Sequence, residues 1–185
     1  MRCIGVYANE VFTASATLTD AGAGSPVAGK TVTFVYLGTS SASLTNAAGL
    51  ATVTYAAGPS SGTGNFTAAF SADATHAASS DNANSVTVNP RLTSLAAVGI
   101  PTRPSNRIFT ASATLTDALS GAPAPGKAVT FLYKGTEQSG TTNASGLATT
   151  LFNAGLATGT FALSAAFAAD ATYLGSSDNS KTVTV

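Results

Sequence analysis

Tryptophan is absent, histidine and cysteine occur once each, and charged residues make up only 9% of the 185. Each shortage excludes something. Cys3 is the only thiol, so no disulfide can form within the chain. His76 is the only imidazole, and a histidine zinc site or a nucleophile–base pair would need a partner that this chain does not supply. A typical globular domain carries about 25% charged residues. Here eight basic and eight acidic groups cancel, which argues against nucleic acid, because phosphate neutralisation needs clustered Lys and Arg. No apolar run approaches the roughly 18 residues of a membrane-spanning helix, so membrane insertion is not expected. Asn9 and Glu10 interrupt the first apolar stretch too early for a secretory signal. The expectation is an export signal already removed, or a piece of a longer gene product.

What the chain does have is repetition. Residues 12–88, opening Phe12-Thr13-Ala14-Ser15-Ala16-Thr17-Leu18-Thr19-Asp20, return 97 positions later as 109–185, opening Phe109-Thr110-Ala111-Ser112-Ala113-Thr114-Leu115-Thr116-Asp117. Of 77 gapless pairs, 45 are identical. So long a period is a whole small domain, larger than the 20–50-residue units that stack into solenoids. The domains are read as 1–89 and 90–185.

Period-two alternation runs throughout, without helical periodicity. Val32, Phe34 and Tyr36 share one face, as do Val129, Phe131 and Tyr133. Further strands are expected at 50–57, 65–73 and 85–88, and at 147–153, 161–170 and 182–185. Gly/Pro/Asn clusters such as Gly22–Pro26 and Thr45–Gly49 separate them. Short alternating strands with no helix between them predict an all-β fold: two tandem antiparallel β-sandwiches of seven-strand type. Their expected cores contain Phe12, Leu18, Val32, Phe34, Phe70 and Val86, and Phe109, Leu115, Val129, Phe131, Phe167 and Val183. An additional strand, 92–98, opens the second copy. Its counterpart in the first would begin before Met1, so copy one is expected to present an unpaired strand edge or groove. The short Asn89-Pro90-Arg91 connector predicts two domains in line with restricted bending.

Three motifs recur in order in both copies. They are Asp-Ala…Pro-x-x-Gly-Lys-x-Val-Thr-Phe (Asp20–Phe34, Asp117–Phe131), Thr-Asn-Ala-x-Gly-Leu-Ala-Thr (Thr45–Thr52, Thr142–Thr149) and Ala-Ala-Phe-x-Ala-Asp-Ala-Thr (from Ala68 and Ala165). In these the chain resembles the bacterial immunoglobulin-like (Ig-like) repeat family of surface adhesins, invasin-type stalks and extracellular fibres. The resemblance implies Ig-like folding and an extracellular or cell-surface location.

Candidate sites are few. Asp73 and Asp81, and their counterparts Asp170 and Asp178, are expected to flank one loop per copy. Their main reading is turn capping through backbone N–H groups. The alternative is calcium, as in some extracellular Ig-like modules, although an ion that takes six to eight oxygens is thinly served by two Asp. No other cofactor is expected. Lys30 and Lys127 follow Gly in a Pro-x-x-Gly-Lys stretch that lacks the spaced glycines and the following Ser/Thr of a phosphate loop. His76 is read as a packing or loop residue, and Tyr173 replaces it in the second copy. Nothing places Glu10 or Glu137 opposite a second acid for glycoside hydrolysis. The hydroxyl row Thr13, Ser15, Thr17, Thr19 keeps a low-charge sandwich wet; as a sugar- or ice-binding face it would lack exposed tryptophan.

These observations predict a non-catalytic extracellular structural protein, a tandem Ig-like segment of a bacterial stalk, adhesin or filament. Its expected partners are copies of itself, joined head to tail by strand addition through residues 1–10 and 181–185, or neighbouring Ig-like repeats. The alternatives are a module binding carbohydrate, a host receptor or ice, and accessory domains of a secreted hydrolase.

Overall fold

In the computed structural model, residues 3–100 and 102–185 are described. They form fourteen strands and no helix. The chain divides into two compact units, Met1–Pro90 and Arg91–Val185, each with seven strands.

The second unit is a sandwich of two sheets. Its strands are β8 (Thr93–Ala97), β9 (Ile108–Asp117), β10 (Ala128–Tyr133), β11 (Thr136–Thr141), β12 (Leu147–Asn153), β13 (Thr160–Phe167) and β14 (Ser176–Thr184). One sheet runs β12-β9-β8 and the other β11-β10-β13-β14. Leu95, Phe109, Leu115 and Phe152 from the first meet Val129, Phe131, Leu163 and Val183 from the second in a single core. The alternation that marks these segments in sequence is the alternation of buried and exposed residues along β9 and β10.

The first unit has β1 (Cys3–Tyr7), β2 (Val11–Thr17), β3 (Thr31–Tyr36), β4 (Thr39–Leu44), β5 (Leu50–Ala56), β6 (Gly62–Phe70) and β7 (Ser79–Asn89). Its large sheet, β1-β7-β6-β3-β4, faces only two strands, β2-β5. Phe12, Tyr36 and Tyr55 cluster in its core, with ring centroids 5.0–6.0 Å apart. In the second unit Phe109, Tyr133 and Phe152 do the same.

Three expectations need correction: strand direction, the polar strands and Leu18. The sandwiches are not wholly antiparallel: β1 runs parallel to β7, from Cys3 opposite Ser85 to Tyr7 opposite Asn89, and Ile100 makes a parallel bridge to Val183. The polar strands β4 and β11 carry no apolar alternation, yet each pairs along six residues with β3 or β10. Strands β7 and β14 begin at Ser79 and Ser176, so Asp81 and Asp178 stand at the start of a strand, with Asp73 and Asp170 in the loop before it. Last, Leu18 is only half-buried whereas Leu115 is fully buried. The physical reason is β8, which covers Leu115 and has no counterpart over Leu18 among the described residues.

Candidate functional site

The residues of the three repeated motifs meet at one end of each unit. Gly29, at φ 70°, donates its N–H to the Thr45 carbonyl at 2.8 Å, and Thr45 N–H donates back to the Lys30 carbonyl at 2.8 Å. The buried Thr45 hydroxyl accepts the Lys30 N–H at 2.9 Å. Lys30 Nζ then reaches Asp73 Oδ2 at 2.6 Å. The second unit repeats the arrangement: Lys127 N–H to Thr142 Oγ1 at 2.8 Å, and Lys127 Nζ to Asp170 Oδ2 at 2.6 Å. Between them lies an Asx turn in which Asn46 Oδ1 accepts from Ala48 and Leu50, and Asn143 Oδ1 from Ser145 and Leu147. Gly49 follows at φ 72°, and a Cβ there would lie 2.4 Å from the Leu18 carbonyl oxygen. The spacing thus requires glycine on two counts.

The four aspartates singled out by sequence all have protein partners. Asp73 Oδ1 accepts the Thr75 N–H and hydroxyl and the His76 N–H at 2.8–2.9 Å; the Lys30 ammonium, foremost, holds its carboxyl well below the usual range. Asp170 Oδ1 accepts the N–H groups of Thr172 and Tyr173, both at 2.8 Å. Asp81 Oδ1 accepts the Ala83 N–H at 3.0 Å. Asp178 Oδ1 accepts the Ser180 hydroxyl at 2.6 Å and N–H at 2.9 Å, while its Oδ2 accepts the Ala97 N–H of β8 at 3.0 Å. The Ser180 hydroxyl leads the effects that hold this carboxyl at about 2. Among the described residues, no three His, Cys, Asp or Glu side chains gather as a metal-holding group. His76 lies against Phe70 edge-on and 4.0 Å from Asp20.

The segments expected to join neighbouring copies are engaged within the chain. Within 1–10 and 181–185, Cys3–Tyr7 pairs along β7 and 181–184 along β13, each in its own unit. Met1 and Arg2 lie outside the described residues. Among the described residues, the edge of β2 away from β5 has no strand partner. Strand β9 continues to Asp117 because β8 pairs with Ala113–Asp117, whereas β2 ends at Thr17. Beside it lie two adjoining hollows of about 190 and 290 Å³ that share Leu18, Phe70 and Ser79. The floor is apolar, from Ala16, Leu18, Val32 and Phe70, with Asp81 on one rim and Asp20 on the other.

In the second unit β8 fills this place. Leu95 stands opposite Leu115 and Ala97 opposite Ala113, both being buried. Arg91, just ahead of β8, donates through Nε to Asp117 Oδ2, and this contact foremost keeps the Asp117 carboxyl well below the usual range. Thr93 Oγ1 donates to the Leu174 carbonyl at 2.7 Å. In the first unit the Asp20 carboxylate accepts the turn N–H groups of Ala23 and Gly22 at 2.7 and 2.9 Å, which lower its pKa.

Among the described residues no helix is long and apolar enough to cross a membrane. No family model matches the chain. No curated protein matches it either. Among solved structures it is similar to the Yersinia pseudotuberculosis adhesin InvE, at 18% identity and TM-score 0.46, covering 98% of this chain and 56% of that one. It is also similar to the Escherichia coli adhesin FdeC, at 19% identity and TM-score 0.40, covering 98% of this chain and 62% of that one. A third is the D0-D1 domain of intimin, at 19% identity and TM-score 0.37, covering 99% of this chain and 95% of that one. The chain spans little more than half the length of InvE. Its own topology, two facing sheets in each repeat with strand orders β12-β9-β8 and β11-β10-β13-β14 in the second, makes it an all-β protein of Ig-like sandwiches.

Proposed function

We propose that the chain is a non-catalytic structural segment of a bacterial surface or appendage protein: two Ig-like modules in series, meeting near residue 90, that act outside the cell. One observation supports this above the others. The polar residues common to both repeats are spent on their own module. Lys30 goes to Asp73, Thr45 to Lys30 and Asn46 to its own turn, and the same bonds recur 97 residues later. Repeated residues of this kind hold loops shut, and a ligand or substrate would have to displace them. Polypeptides, notably neighbouring modules of the same kind, are its partners on this reading.

The test is immunogold electron microscopy of intact, unpermeabilised cells of the source bacterium with an antibody raised against the chain. Label on the surface or on appendages is expected. Label that appears only after permeabilisation would overturn the reading.

A further inference from the structure

We draw no further inference here: the strongest candidate, the exposed aliphatic patch of Leu92, Leu119 and Leu174 beside the start of β8, where the Ala118 N–H meets the Leu92 carbonyl and the Leu174 N–H the Arg91 carbonyl, carries nothing because nothing in the structure shows what covers it.

Discussion

Truncating equivalent leucines in the two modules should give unequal results. Leu115 is fully buried under β8, opposite Leu95. Leu115→Ala removes a buried side chain and leaves a cavity, at a cost of about 3 kcal/mol. Leu18 occupies the same position in its own module but is half-exposed beside the hollows along β2. Much of its transfer free energy is never gained, and neighbours and solvent can fill the space, so Leu18→Ala should cost about 1 kcal/mol. Native-state hydrogen exchange reads each module separately, through the slowest amides of β3 and β10. The expected gap, about 2 kcal/mol, is well outside the scatter of such measurements. Equal losses in the two modules would mean that Leu18 is as well covered in solution as Leu115, and the reasoning would fail.

Gly49→Ala and Gly146→Ala should each lower the stability of their own module by about 2 kcal/mol or more in chemical denaturation. Both sit at φ above 70°, and a Cβ would lie 2.4 Å from a carbonyl oxygen. The Asp117 carboxyl is lowered foremost by Arg91. A depressed folded pKa gives stability that is present above the unfolded value near 3.9 and lost as pH falls through the folded one. Arg91→Met should therefore destabilise the second module at pH 7, and the deficit should shrink as a denaturation series is carried below about pH 3. Because Asp73 and Asp170 are paired with Lys30 and Lys127 at 2.6 Å, excess chelator should leave the melting temperature unchanged; a fall of several degrees that calcium restores would revive those aspartates as ion ligands.

The parts of the fold legible in sequence were those where burial imposes period two, as in Val32-Thr33-Phe34-Val35-Tyr36. Strands β4 and β11 were invisible because Thr39–Leu44 and Thr136–Thr141 pair through the backbone and expose most of their side chains. The Lys30–Asp73 and Lys127–Asp170 contacts join different motifs, the latter 43 residues apart, and no local pattern announces a contact across that distance. The parallel pairing of β1 with β7 left no trace in the sequence, because alternation reports burial and not which neighbour a strand takes.

The parallel pairing of β1 with β7 has a mechanical meaning for a chain of this kind. The two are the first and last described strands of their module, aligned over five residues from Cys3 and Ser85 to Tyr7 and Asn89. Tension applied through the two ends of the module pulls these strands in opposite directions along their own axes. The bonds between them are then loaded together in shear, and none can open ahead of the others as the rungs of an unzipping hairpin do. Resistance to force is set by the height of that barrier to rupture, a kinetic quantity separate from equilibrium stability. A module only modestly stable by denaturant can in this way still hold under a pull.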